Sequence, residues 1–197
     1  VTYASLKNKD VDVFLGNWMP SMTADVKPYF DDKSVEQLAP NLEGAGYGVV
    51  VPQYVADAGV KSIADLAANK DKFNGKFYGI ESGNDGNRII QTMIDDAKNN
   101  LAGFELVESS EAGMLTEAEK AMKNNEWILF LGWTPHPIMG DMKIHYLDGV
   151  SEYGFGGATV HTNVRAGYLT ECPNAGKLVS NLKFSLAMEG AMMGPVL

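Results

Sequence analysis

Two tryptophans recur in the same local setting, each at the end of a short apolar run. Trp18 lies in "DVFLGNWMPSM" (12–22) and Trp133 lies in "WILFLGWTPHP" (127–137), and each precedes a proline by two residues. Aromatic ring faces attract cations, at about 0.5–2 kcal/mol per ring once water is excluded. A quaternary ammonium has no N–H to donate, so rings rather than hydrogen bonds must hold it. The two tryptophans, with Tyr47 of "GAGYG", therefore predict a binding site for a methylated ammonium group.

Packing in the core is the alternative role for any single tryptophan at a strand end. We expect that role for Trp127, which begins the second run rather than ending it. The shared setting of Trp18 and Trp133 favours a ligand role for these two.

The segment "ESGNDGNRII" (81–90) lies between a predicted strand and a predicted amphipathic helix. Backbone N–H groups at a helix N-terminus can meet a ligand oxygen, and Asn84 is placed to hydrogen-bond one. A helix cap built from Ser82, Asn84 or Asp85 is the structural alternative. The spacing matches neither GxGxxG nor a P-loop, which argues against a nucleotide site. A carboxylate favours the helix N-terminus at Gly86 whereas a hydroxyl needs only Asn84, and the sequence leaves both open.

Residues for catalysis or metal binding are few. His136, His145 and His161 lack the close spacing of a metal site, and no HExxH, GxSxG or cysteine cluster occurs. We therefore predict no metal site and no cofactor. His136, which lies between two prolines in "WTPHP", is predicted to be structural.

Strands and helices alternate along the chain, which predicts an α/β fold with a largely parallel sheet. Strands are predicted over 11–18, the valines before Pro52, 76–81, 104–109, 127–133, 143–148 and 159–168. Helices are predicted over 34–42, 62–69, 86–99, 111–124 and from about 174. The helix over 86–99 has the clearest pattern, because Ile89, Ile90 and Met93 recur on one face.

Two glycine clusters divide the chain into two predicted lobes. They are "EGAGYG" (43–48) and "YGFGGAT" (153–159), and glycine permits the backbone conformations that crossing segments need. We predict an inserted middle lobe at 46–157 and a discontinuous outer lobe at 1–45 and 158–197. Ligands of α/β proteins bind where such segments cross, so we expect a cleft there.

Composition excludes several classes of partner. The chain of 197 residues carries 16 Lys and Arg against 25 Asp and Glu, a net charge of −9. Nucleic acid and anionic membranes both bind surfaces with clustered positive charge, so neither is expected as a partner. No apolar run reaches the ~20 residues of a membrane helix, and no signal peptide is recognised at the start. The single cysteine, Cys172, is compatible with a buried thiol or with a missing disulfide partner.

Four long motifs carry a family resemblance. They are "SLKNKDVDVFLGNWMPSM", "YGIESGNDGNRII", "FLGWTPHP" and "GGATVHTNVRAGYLTECPN". The chain resembles the substrate-binding proteins of ABC importers for quaternary ammonium compounds, and most closely the periplasmic choline-binding branch beside the glycine betaine binders.

The resemblance implies a fold, a ligand and a partner. It implies a two-lobed periplasmic-binding-protein fold of type II, a periplasmic location, and delivery of the ligand to an importer permease. It assigns Trp18, Tyr47 and Trp133 to an aromatic box around the ammonium, and Asn84 to the ligand hydroxyl. Choline is the expected ligand, with acetylcholine or a glycine or proline betaine as alternatives. A choline-ester hydrolase that uses His136 as general base is the enzymatic alternative; we expect no enzyme.

The chain departs from the family pattern at its start. An earlier segment with a further box tryptophan and an aspartate is missing, as are the helices that follow residue 197 in relatives. An early cysteine able to pair with Cys172 is also missing. We therefore expect a fragment, with an incomplete outer lobe. A complete protein is expected to be a monomer, whereas a fragment would swap elements with another copy or be completed by another chain.

Overall fold

The chain forms two compact units. The computed structural model describes residues 1–196; Leu197, the last residue of the predicted outer lobe, lies outside the described residues. The middle unit is Gly46–Gly156, and the end unit combines Val1–Ala45 with the chain from Gly157 onwards. The functional lobes inferred from the glycine clusters, with the middle lobe at 46–157, stay a prediction.

The end unit combines three paired strand segments with short helices. Its elements are α1 (Thr2–Lys7), β1 (Val13–Met19), α2 (Thr23–Asp31), the first part of β2 (Val35–Pro52), β7 (Gly156–Arg165), α7 (Tyr168–Glu171), α8 (Pro173–Ser180) and α9 (Leu186–Met193). Strand β1 runs antiparallel to β7, with Trp18 opposite Val160, and β7 also neighbours β2. Burial of Tyr3, Leu6 and Val26 in one cluster anchors the first two helices.

The middle unit holds the remaining strands. Its elements are the second part of β2, α3 (Gln53–Asp57), β3 (Lys76–Tyr78), α4 (Asp85–Asp95), β4 (Glu105–Val107), α5 (Glu111–Lys123), β5 (Phe130–Thr134), α6 (Pro137–Asp141) and β6 (Ile144–Tyr146). Helix α4 buries Ile89, Ile90 and Met93, as its spacing predicts. Phe77 of β3 and Phe130 of β5 are fully buried in the same unit.

The α/β class is as predicted, but the expectation of a largely parallel sheet is wrong. Strand β3 pairs in parallel with β4 and β5, as strands joined through helices do. The long strand β2, however, runs antiparallel to both β5 and β6. The sheet is mixed because one strand passes through both units and its neighbours return in the opposite direction.

The predicted helix over 34–42 is also wrong, since β2 begins at Val35 and includes the rest of this range. Long-range contacts hold them extended: the Asn41 side chain donates from Nδ2 to Thr162 Oγ1 at 3.0 Å, and His161 Nδ1 lies 3.0 Å from the Leu38 carbonyl oxygen. Pairing with β7 therefore overrides a weak local preference.

Candidate functional site

Tyr47 and Trp133 lie directly opposite each other on the antiparallel strands β2 and β5. Opposed residues of such a pair present their side chains on the same side of the sheet. Their ring centroids are 6.3 Å apart and their planes meet at 76°. Gly132, before Trp133, allows β5 to pair closely with β2, because a Cβ there would lie 2.6 Å from Val50 Cγ1. The Leu-Gly-Trp sequence thus brings two of the predicted box residues together.

Phe155 supports the Tyr47 ring. Its centroid lies 5.2 Å from that of Tyr47 at an interplanar angle of 87°, and its side chain is buried. Phe155 belongs to the second glycine cluster, where sequence reasoning considered only the glycines. A lone aromatic between glycines was the signal that could have identified it.

Asn84 forms the N-cap of α4, and its Oδ1 accepts two hydrogen bonds. One comes from the backbone N–H of Gly86 at 2.7 Å, and the other comes from the hydroxyl of Tyr47 at 2.9 Å. The capping role and the proximity to Tyr47 therefore coexist in one side chain. Three of the four predicted site residues, Tyr47, Asn84 and Trp133, are brought together within the middle unit.

The start of α4 is crowded around Tyr47. A Cβ on Gly86 would lie 2.0 Å from the Tyr47 hydroxyl oxygen, so only glycine fits there. Burial and the negative charge of Asp85 raise the pKa of Tyr47 well above its ordinary value. The phenol is consequently neutral at physiological pH and keeps its proton for donation.

Asn87 holds the loop before α4 in place. Its Nδ2 donates to the carbonyls of Ile80 and Glu81 at 3.0 and 3.1 Å and to Glu108 Oε1 at 3.0 Å. Its Oδ1 accepts from the backbone N–H of Ile80 at 3.1 Å. The second asparagine of "GNDGN" is therefore a structural clamp, a role that the sequence did not distinguish from ligand binding.

His136 supports Trp133 from the start of α6. The two rings meet edge to face at 5.1 Å and 86°. His136 Nδ1 accepts from the backbone N–H of Met139 at 3.2 Å, which requires the proton to be on Nε2. That nitrogen lies 3.0 Å from Glu111 Oε1 and donates to it. With both nitrogens engaged, the structural role predicted for His136 fits better than that of a general base.

Trp18 lies in the end unit, near the end of β1. Its half-buried ring packs against a cluster of buried residues, Leu42, Ala45, Ala158 and Val160. Its carbonyl accepts from the backbone N–H of Met22 at 3.0 Å. The peptide bond before the following proline is cis, as is the corresponding bond after Trp133. A role for Trp18 beside the other three residues stays a prediction.

Trp127, predicted to be in the core, is only half-buried. The ring of buried Phe73 lies 5.3 Å from it, and the ammonium of Lys72 lies 4.3 Å above it. These residues line a cavity of about 320 Å³. Trp127 already carries an internal cation on one face.

Several further predictions concern absences. Within residues 1–196, no group of three His, Cys, Asp or Glu side chains is arranged to hold a metal ion, and no helix of that range is long and apolar enough to cross a membrane. Cys172 is a free, half-buried thiol.

Comparison with known proteins identifies relatives along the whole chain. A family model described as the substrate-binding domain of the ABC-type glycine betaine transport system matches residues 1–197. The structure of an ABC-transporter choline-binding protein in complex with choline is 55% identical, with a TM-score of 0.95 over 100% of this chain and 69% of that chain. The structure of lactococcal OpuAC complexed with glycine betaine is 28% identical, with a TM-score of 0.88 over 98% of this chain and 73% of that one.

The glycine betaine/carnitine transport binding protein GbuC of Listeria monocytogenes (serotype 1/2a, strain 10403S) is 29% identical over 123 residues, which are 61% of this chain and 41% of GbuC. This chain spans about half the length of two curated relatives that it matches, 57% of one and 41% of the other. These relatives confirm the predicted two-lobed periplasmic-binding-protein fold and the prediction of a non-enzymatic protein. The chain belongs to the family of substrate-binding domains of ABC-type glycine betaine transport systems.

Proposed function

We propose that this chain is the receptor part of a periplasmic solute-binding protein that captures choline and delivers it to an ABC importer permease. Trp18, Tyr47 and Trp133 bind the trimethylammonium group through their ring faces, and Asn84 binds the ligand oxygen. The observation that carries the proposal is the joint placement of Tyr47, Trp133 and Asn84 in the middle unit. The centroids of the two rings are 6.3 Å apart, and the amide oxygen of Asn84 lies 2.9 Å from the Tyr47 hydroxyl. The 55% identity to a choline-binding protein in complex with choline supports the same ligand.

The energies are of the right order for a transport receptor. Micromolar binding requires about 8 kcal/mol. Each ring contributes roughly 0.5–2 kcal/mol to holding a desolvated cation, and burial of methyl groups adds about 0.8 kcal/mol for each apolar carbon. Ring faces and methyl burial together account for most of that affinity, and one hydrogen bond from Asn84 supplies a further part.

The start of α4 favours choline over a betaine. A betaine carboxylate would seek the N–H groups at this helix N-terminus. The N–H of Gly86 is already used by Asn84 Oδ1 at 2.7 Å, and the Tyr47 hydroxyl occupies the space beside Gly86. The buried Asp85 carboxylate adds a negative charge in the first turn. A neutral hydroxyl avoids this repulsion, whereas a carboxylate does not.

Isothermal titration calorimetry of this chain with choline, acetylcholine and glycine betaine tests the proposal. We expect choline to bind at least tenfold more tightly than glycine betaine. Trp133→Ala is expected to abolish the heat of choline binding, and Trp127→Phe serves as the matched tryptophan control. Absence of binding by all three ligands would refute the proposed function, and a preference for glycine betaine would refute the assignment of choline.

A further inference from the structure

The hydroxyl of Tyr47 has a role separate from that of its ring. Tyr47 is 6% exposed, and its ring is held between contacts with Phe155 and Trp133 at centroid distances of 5.2 and 6.3 Å. Its O–H group points to Asn84 Oδ1 at 2.9 Å. Because burial and Asp85 raise the pKa of this phenol, it remains a hydrogen-bond donor throughout the physiological range.

The two donors around Asn84 determine which way its amide points. A backbone N–H can only donate, so the atom 2.7 Å from Gly86 N must be the acceptor Oδ1. The Tyr47 hydroxyl donates to the same oxygen. Rotating the amide by half a turn would set Nδ2 against the N–H of Gly86, two donors facing each other. The hydrogens of Nδ2 therefore point away from both partners, and Nδ2 donates to no protein atom within residues 1–196.

We infer that the Tyr47 hydroxyl is a positioning group that acts through Asn84, turning its Nδ2 toward the oxygen of a hydroxylated quaternary ammonium ligand. The inference rests on the proposed function of this site. Donation into Oδ1 also polarises the amide and strengthens the hydrogen bond that Nδ2 gives. Tyr47 thus acts on both ends of the ligand: its ring contacts the cation, and its hydroxyl orients Asn84 toward the ligand oxygen.

Two ligands separate these roles. Choline has a hydroxyl oxygen, whereas tetramethylammonium has a similar methylated cationic group and no oxygen. Tyr47→Phe keeps the ring and removes the hydroxyl. Because one intramolecular hydrogen bond typically changes an equilibrium by a factor of about five, we expect this variant to bind choline about fivefold more weakly. Its affinity for tetramethylammonium is expected to change by less than about twofold.

The control for removal of a phenol hydroxyl is Tyr54→Phe. The Tyr54 hydroxyl donates to the carbonyl of Glu126 in the same unit and does not contact Asn84. We expect Tyr54→Phe to leave the affinities for choline and tetramethylammonium unchanged. Thermal unfolding of each variant shows that the protein titrated is folded.

A double variant shows whether Tyr47 acts through Asn84. Asn84→Ser keeps a helix-capping oxygen but loses the amide donor. In that background, adding Tyr47→Phe is expected to cause no further loss of choline affinity. Equal losses for choline and tetramethylammonium, or a loss that persists beside Asn84→Ser, would overturn the inference while leaving the proposed function standing. A wild-type chain that binds neither cation would instead overturn the proposed function, and the inference with it.

Discussion

Replacing Gly86 by alanine tests the close approach on which the site depends. Gly86 is in the first turn of α4, where alanine is the better helix former by up to about 1 kcal/mol. Helix propensity alone therefore predicts a more stable protein. The added Cβ, however, would lie 2.0 Å from the Tyr47 hydroxyl oxygen and 3.0 Å from Asn84 Oδ1. The buried ring of Tyr47 cannot retreat, because it is in contact with Phe155.

We expect Gly86→Ala to change the free energy of unfolding in the direction opposite to that predicted by helix propensity. Overpacking a filled site costs about 1–3 kcal/mol, and breaking the hydrogen bond between Tyr47 and Asn84 costs about 1 kcal/mol more. These terms exceed the gain in propensity, so we expect Gly86→Ala to destabilise the protein by about 2 kcal/mol. For a chain of 197 residues this corresponds to a melting temperature lower by roughly 4–8 °C. Choline affinity is expected to fall at least tenfold, because both Tyr47 and Asn84 are displaced.

Circular dichroism and calorimetry measure the two effects. The matched control is Gly140→Ala in α6, where a Cβ would meet no atom within 4 Å, and we expect unchanged or slightly higher stability with unchanged binding. If Gly86→Ala melts and binds choline as the wild type does, the close approach of Tyr47 to α4 is refuted. The account of Asn84 orientation would be refuted with it.

Three further outcomes are expected. Because the folded protein holds the Tyr47 proton more tightly than the unfolded chain does, the free energy of unfolding should fall as pH rises above about 10, and Tyr47→Phe should reduce that loss in urea titrations. The pKa of the exposed Asp32 is lowered to about 2, first of all by the hydrogen bond from Lys7, so its contribution to stability is present above the ordinary pKa of 3.8 and is lost as pH falls through about 2. Lys7→Met should raise the pKa of Asp32 toward 3.8 in an NMR titration. An unchanged pKa would contradict the contact between Lys7 and Asp32. Trp127→Phe should leave the choline-induced change in fluorescence intact, since Lys72 already covers that ring; a lost response would place Trp127 at the ligand.

The sequence predicted the elements that local signals encode. The cap by Asn84 and the spacing of Ile89, Ile90 and Met93 suffice to place α4, because capping and amphipathic spacing act within a few residues. The strand over 35–45 was missed because its extended form depends on β7, which lies more than a hundred residues further along the chain, as the contact between Asn41 and Thr162 shows.

The same distinction between local signals and long-range contacts applies to the site. The types of Tyr47, Asn84 and Trp133 predicted a cation site, since ring faces and an amide have few uses together at strand and helix ends. Their mutual geometry could not be predicted, because it depends on how β2 lies against α4. The hydrogen bond between Tyr47 and Asn84 and the support of Trp133 by His136 are both consequences of that packing.

The polar groups of the middle unit favour a fully methylated cation over a primary amine at the proposed site. A primary ammonium carries three N–H donors, and each must find an acceptor when water is removed. Asn84 Oδ1, the acceptor beside the Tyr47 hydroxyl, already accepts from that hydroxyl and from the N–H of Gly86. The outward polar group of this constellation is therefore a donor, Nδ2. A trimethylammonium group needs no hydrogen-bond acceptor and presents methyl carbons to ring faces, so it loses few hydrogen bonds when it leaves water. An oxygen at the other end of the ligand can accept the hydrogen bond from Nδ2.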